Sequence, residues 1–416
     1  MAILNDAARR RGLLVLLIDN FLMFGGFFML VPLISIHYVE SLGFSAAAVG
    51  VVLAARQLTQ QGLTVFGGAL ADRIGPKALI VWGMAIRTIS FAGMAWAGSF
   101  ALLLTLSVLA AIGGALFDAP KNAAIAALTQ PAERSRFFSL NGVAGGLGMT
   151  VGPLIGALLL PLDFRWVCFG AAAAFALAGV LTALWLPAPH IDAPQPVGRG
   201  LALATRDRTF VVFTLLLAGF WFMWVQLSIS LPLAAQRWDQ PQVVTPFGAL
   251  TINGVAWIYA LNAGMTVALQ YPLVRLAERW LRPFAILVLG VAIMALGLGL
   301  IALAGSLGAL LACVALFSVG AMLVQPTQQT VTAAMADPQA MGAYFGFGAL
   351  SLAFGGAAGN YLGGALYDLA GAIGQPALPW LIFCAAGLGV ALGLFVLGRA
   401  QPRTRAAAAT STSSAA

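Results

Sequence analysis

Long apolar runs separated by short polar gaps recur along the whole chain. They cover approximately residues 12–36, 46–70, 78–98, 101–128, 138–160, 164–186, 210–235, 250–273, 284–304, 307–334, 344–367 and 378–398. Each is close to the roughly 20 apolar residues that one helical bilayer crossing needs, with some length to spare for tilt. The pattern therefore predicts an all-α membrane protein with twelve transmembrane helices. An even number of crossings leaves both termini on one side.

Composition agrees with a bilayer as solvent. The 416 residues are 61% hydrophobic and 8% charged, and their mean hydropathy is +0.96. A soluble domain carries far more charge than this. The net charge of +8 does not point to nucleic acid, because the basic residues fall in gaps between apolar runs rather than beside aromatics on a polar face. Sixteen of the 21 Lys and Arg residues sit at the N-terminus, at Arg73 and Lys77, at Arg134 and Arg136, at Arg199 to Arg208, at Arg275 to Arg282 and from Arg399 onward. All these places are on one side of a twelve-span topology, and basic loops stay in the cytoplasm. Both termini are thus expected to be cytoplasmic. Arg9 to Ile18 resembles a secretory leader, but the apolar run continues to Ile36 without a small-x-small site, so a retained first helix is expected.

Residues 188–209 are Pro-rich and divide the chain into a first bundle, 1–187, and a second, 210–399, followed by a tail of Ala, Thr and Ser at 400–416. The halves repeat one another. Ile112 to Ser139 can be laid over Val319 to Gly346 at an offset of 207, and Gly148, Gly152 and Gly156 then meet Gly355, Gly359 and Gly363. Two related six-helix halves are a common transporter architecture. Cys168, Cys313 and Cys384 lie inside apolar runs without paired spacing, so neither a disulfide framework nor a metal site is expected. No phosphate loop or nucleophile elbow occurs. No enzyme activity and no cofactor are therefore expected.

Three groups of residues carry candidate chemistry. The turn after the second span reads Gly68-x-x-x-Asp72-Arg73-x-Gly75-x-Lys77, where the glycines permit a tight turn and Asp72 suits an Arg or a helix N-terminus. The fifth span carries Gly148-x-x-x-Gly152-Pro153-x-x-Gly156, whose small residues let helices touch and whose proline removes a backbone donor. Asp19, Arg56, Arg87, Asp118 and Lys121 lie inside spans of the first half, where each charge costs about 2.5–3.5 kcal/mol on insertion scales and so marks a cavity or a partner. Asp118 and Lys121 are three residues apart and can pair. Asp19, roughly 12 Å along its helix from Arg11, is the leading proton carrier and Asp118 the second. The other reading is that both acids merely neutralise Arg56, Arg87 and Lys121. Phe220, Trp221, Trp224 and Gln226 in the seventh span, Tyr259 and Asn262 in the eighth, and Gln325 and Gln328 in the tenth are candidates for a substrate cavity.

The Gly68–Lys77 turn resembles the signature loop of the major facilitator superfamily, and Gly148–Gly156 resembles the motif of its antiporter branches. Leu17-Ile18-Asp19-Asn20, Val31-Pro32-Leu33-Ile34-Ser35, Arg56-Gln57, Leu116-Phe117-Asp118-x-Pro120, Arg136 to Leu140 and Leu378-Pro379-Trp380 are similar to the MdtH-type branch of bacterial drug:proton antiporters. The resemblance spans essentially the whole chain. It implies the twelve-helix facilitator fold, the bacterial inner membrane, and small-molecule drugs and protons as partners. It also implies that Asp72 belongs to a cytoplasmic latch against the eleventh span. A monomer is expected. One departure stands out: the fourth span has no Arg before Gly113, so a basic partner for coupling must be Arg56, Arg87 or Lys121. A facilitator for one metabolite, such as a sugar or lipid, remains the alternative, and a non-transporting sensor or scaffold ranks below both.

Overall fold

The computed structural model describes residues 6–187, 204–238, 242–245, 248–251, 254–336 and 341–400. The side chains at 65–69, 71–73, 119, 126, 131–136, 138, 139 and 341–343, and those of two short strands, lie outside that description. The first half contains α1 (Asp6–Ile36), α2 (Ala46–Ile74), α3 (Pro76–Gly93), α4 (Phe100–Leu128), α5 (Pro131–Leu159) and α6 (Phe164–Trp185). The second contains α7 (Arg208–Trp224), α8 (Ser230–Ala235), α9 (Gly254–Trp280), α10 (Pro283–Leu300), α11 (Leu307–Met335), α12 (Met341–Gly348), α13 (Leu350–Ala372) and α14 (Leu378–Ala400). Among the described residues, nine helices are long and apolar enough to cross a membrane. The other three expected spans coincide with α2, α9 and the broken helix α12–α13. Large apolar side chains such as Trp82, Ile89, Leu184 and Leu392 are exposed along the outer helix faces, where a bilayer would cover them.

One segment departs from the all-helical expectation. The run expected to be helical from residue 250 begins its helix at Gly254 and is preceded by a hairpin of β1 (Gln242–Thr245) and β2 (Gly248–Thr251), with Val243 opposite Leu250. Val243, Val244 and Thr245 are β-branched and favour an extended backbone. Most of the expected 188–209 linker and the 401–416 tail fall outside the described residues.

The duplication is visible helix by helix. At an offset of 207, Pro76 opening α3 matches Pro283 opening α10, and the 3-10 turn Met94–Trp96 matches Ile301–Leu303. Helices α4 and α11 both span 29 residues. Each starts from a serine, Ser99 or Ser306, whose hydroxyl accepts an N–H of the first turn. These caps satisfy donors that a helix start otherwise leaves unpaired. Gly75 is the whole connection between α2 and α3. Its φ of 90° is a conformation that glycine adopts freely, with Pro76 fixing the next helical position.

Glycines set how closely the helices approach. A Cβ added at Gly148, Gly152 or Gly156 of α5 would meet the backbone carbonyl of Phe21, Gly25 or Met29 of α1. The second half repeats this contact, with Gly355 and Gly359 of α13 against the carbonyls of Ala218 and Phe222 of α7. Between the halves, α2 packs along α13 and α5 packs against α9. The α2–α13 contact is tight near the start of α2, where Gly50 meets Asn360 and Gly364 meets Ala46. Alternating helix direction puts the start of α2 and the end of α13 at the same end of the molecule, called here the far end. The start of α1 and the end of α14 lie at the opposite end, called the terminal end.

Backbone cannot retreat from a new methyl as a flexible side chain can. Gly152→Ala is therefore expected to destabilise the folded protein by about 1–3 kcal/mol. Gly142→Ala on the same helix, with open space around it, is expected to leave stability unchanged or raise it by up to about 1 kcal/mol, the helix-propensity difference between the two residues. Thermal unfolding of the two detergent-purified variants checks the pair.

Candidate functional site

The five intramembrane charges of the first half lie in a network of neutral partners. Asp19 of α1 is fully buried, and one carboxylate oxygen accepts a hydrogen bond from the Thr182 hydroxyl of α6. Its other oxygen, Oδ1, has no hydrogen-bond partner among the described residues. The adjacent Asn20 joins three helices. Its amide donates to the Asn141 carbonyl of α5 at 2.7 Å, and its oxygen accepts from Lys121 Nζ of α4 at 2.7 Å.

The Asp118–Lys121 pair suggested by spacing does not form. Among the described residues, the ion pair found within 4 Å is Arg9–Asp6 at the terminal end, at 3.6 Å. Asp118 instead accepts from Gln60 Nε2 of α2 at 3.1 Å. The Gln60 oxygen in turn accepts from Arg56 Nη1 at 3.0 Å and Arg87 Nη2 at 3.3 Å. Thus one glutamine links two guanidiniums to one carboxylate, and its neutral amide keeps opposite charges apart. Arg56 also donates to Gln57 at 3.0 Å. The Phe27 ring lies 4.7 Å from the Arg56 guanidinium and 5.6 Å from that of Arg87, and Phe175 lies 5.3 Å from the latter. Aromatic faces stabilise cations where water is excluded. Lys121 rests in the same way 5.0 Å from the Phe117 ring.

In the second half, a cavity of about 430 Å³ opens among α7, α11, α12 and α13. Trp221, Gln325, Gln328, Gln329, Thr332 and Phe345 form much of its wall. Of the cavity candidates read from the sequence, Trp221, Gln325 and Gln328 are in this wall. Phe220 is buried behind it with its ring 5.0 Å from Trp221, and Trp224 contacts Trp221 at 5.4 Å. Gln226 is fully buried and bonds to the carbonyls of Phe222 and Gly359 and to Ser230. Tyr259 donates to the Leu227 carbonyl at 2.9 Å, and Asn262 donates to Ser318 at 2.8 Å. These three polar groups tie helices together.

The charged turn is described only in part. Gly75 closes it and Lys77 is half-buried, while the side chains of Gly68, Asp72 and Arg73 lie outside the described set. Sequence reasoning missed Thr182 and Asn141, because a hydroxyl or carbonyl inside a span carries no signal until the facing helix is known. It also missed Asp368, the acid at the end of α13, because the apolar run ends at 367.

Comparison with known proteins places this arrangement. The sequence profile of the Major Facilitator Superfamily matches residues 16–254 and 241–415. Solved structures share the fold at low identity. A POT family transporter in complex with a thioalcohol-conjugated peptide superposes with a TM-score of 0.78 at 14% identity, covering 94% of this chain and 96% of that one. The nucleoside transporter NupG superposes with a TM-score of 0.76 at 14% identity, covering 94% and 99%. The chain belongs to the major facilitator superfamily. Its relatives there include the multidrug resistance protein MdtH of Photorhabdus laumondii, 40% identical over 92% of this chain and 94% of the relative. The MdtH of Cronobacter sakazakii is 41% identical over 93% and 94%, and that of Klebsiella pneumoniae strain 342 is 39% identical over 95% and 98%.

Removing the Thr182 hydroxyl strands the Asp19 carboxylate in an apolar interior. Thr182→Val is expected to cost about 1–3 kcal/mol of stability, the usual penalty for an unsatisfied buried polar group. Thr182→Ser is expected to keep most of it. Thermal melts of both variants beside Asp19→Asn/Thr182→Val, in which no charge is stranded, provide the check.

Proposed function

We propose that this chain is a proton-coupled multidrug exporter of the bacterial inner membrane, working by alternating access as a monomer with twelve crossings and both termini in the cytoplasm. The observation that carries the coupling is Asp19, a fully buried acid with one oxygen held by Thr182 and the other without a partner among the described residues. Such a group has a site for a proton and little else to bond. Asp118 is the second carrier, since Gln60 relays any change in its charge to Arg56 and Arg87. These are two of the three basic residues, with Lys121, available in place of an arginine before Gly113. The names of the MdtH relatives support drugs as substrates, and the wall of aromatic rings and amides around Trp221, Gln325 and Gln328 suits planar, partly polar molecules. No chemical conversion of the substrate is part of this reading.

The cavity lies toward the terminal end and the halves meet closely at the far end, which is the form expected of an inward-facing conformer. Export then needs the far end to open while the terminal end closes. A proton taken up by Asp19 or Asp118 changes the charge of the network between the two forms and so biases their populations.

Energised everted vesicles test this with a panel of dyes and antibiotics. Wild type is expected to accumulate several chemically unrelated compounds, and Asp19→Asn and Asp118→Asn to lose most of the proton-dependent part. Unchanged transport in both variants would remove these acids as carriers. Movement of a single sugar or lipid and of none of the drugs would favour the metabolite facilitator. Trp221→Ala is expected to raise the half-saturating drug concentration several-fold with a smaller effect on maximal rate, measured in the same vesicles.

A further inference from the structure

At the far end, one carboxylate of the second half reaches across to the first. Helix α2 begins at Ala46 after Ser45, and its first-turn N–H groups need acceptors. Ser45 supplies one locally, its hydroxyl accepting from the Ala48 amide at 3.1 Å and its carbonyl from Val49 at 3.3 Å. The remaining two amides leave the first half. Ala46 N–H donates to Asp368 Oδ1 at 2.9 Å and Ala47 N–H to Asp368 Oδ2 at 2.7 Å. Asp368 belongs to α13, more than 300 residues away. Its two oxygens take up the two amides that α2 cannot satisfy itself, and its charge faces the positive end of the helix dipole.

The surroundings make the contact close and specific. Gly364, one helical turn before Asp368, is pressed against the Ala46 carbonyl so that any side chain there would collide. Nearby, Ser35 of α1 donates to the Ser228 carbonyl beyond α7 at 3.3 Å, a second bond between the halves. Arg237 lies 5.1 Å from the ring of Tyr367, beside Asp368. This far-end arrangement is also the counterpart of what the charged turn suggests at the other end of α2. There Asp72, near the end of α2, is expected from the sequence to hold the start of the eleventh span. Helices α2 and α13 are antiparallel, and each carries an acid near its C-terminus, where the partner helix begins.

We propose that Asp368 is a gate residue of the transport cycle: its carboxylate caps α2 across the interface, holds the far end shut, and must let go for that end to open. The proposal rests on the alternating-access reading only for its role in transport, because the contact itself is tested without drug or proton gradient. Spin labels at Leu42 and Ile373, both exposed at the far end of opposite halves, would report the gap by pulsed electron–electron resonance, on a background with the three cysteines replaced by alanine. Asp368→Ala and Asp368→Asn are expected to raise the ratio of long to short distances about fivefold, the size of a typical lost helix cap. Asp368→Glu should restore part of the short population. Ser45→Ala removes the cap on the same turn without touching the other half, and should leave the distances unchanged. Unaltered distances in both Asp368→Ala and Asp368→Asn would overturn the proposal, as would an equal shift in Ser45→Ala. A loss of proton-dependent efflux in the Asp19 and Asp118 variants bears on neither result, so the two readings fail independently.

Discussion

The structure depends on the cost of keeping charge inside a slab that excludes water. Each buried charge of the first half carries a penalty that only partners can lower, about 2.5–3.5 kcal/mol on insertion scales. The partners provided are mostly neutral. Asn20 holds Lys121, Gln60 stands between Asp118 and two arginines, Thr182 holds Asp19, and Phe27, Phe117 and Phe175 face the cations. Direct ion pairs would have stabilised one charge state strongly. Neutral amides and a hydroxyl lower the cost of the charges without such a strong bias, as the proposed coupling would require. The network draws on all six helices of its half, so a change of charge in it acts on the whole bundle.

The two halves share one frame and have diverged in content. Helices α3 and α4 coincide with α10 and α11 at a fixed offset, and glycines press α5 on α1 as they press α13 on α7. Inside these matching frames, one half holds the charges and the other holds the open cavity with its aromatic and amide wall. Two separately packed halves whose close contacts lie at one end are suited to rocking, because the same interface cannot be tight at both ends at once. Asp368 and Ser35 mark the end that is closed here.

Much of this was legible in the sequence, and what was not has physical reasons. Apolar run lengths located the helices, since spans are set by bilayer thickness, and four-residue glycine spacing located a packing face on the fifth span, though not its partner, because that spacing repeats about once per turn. Pairing between helices was not legible. Asp118 and Lys121 are three residues apart, which leaves them about 60° apart around the helix, and the long Lys121 side chain reaches α1 while Asp118 meets α2. The strands at 242–245 and 248–251 were not legible because most of their residues fall in the gap between the seventh and eighth apolar runs, where apolar periodicity reports no backbone pairing. Asp368 was missed because the helix continues past the end of its apolar run, carrying a charge to the partner's first turn.

On the proposed reading, buried charge in the first half couples proton movement to drug movement in the opposite direction. Purified protein in liposomes with a pH-sensitive dye inside tests this most directly, with an outward gradient of a transported drug and no imposed pH gradient. The drug is expected to leave while the lumen acidifies, in wild type and not in Asp19→Asn. Drug leaving at the wild-type rate with no change in luminal pH would contradict the coupling.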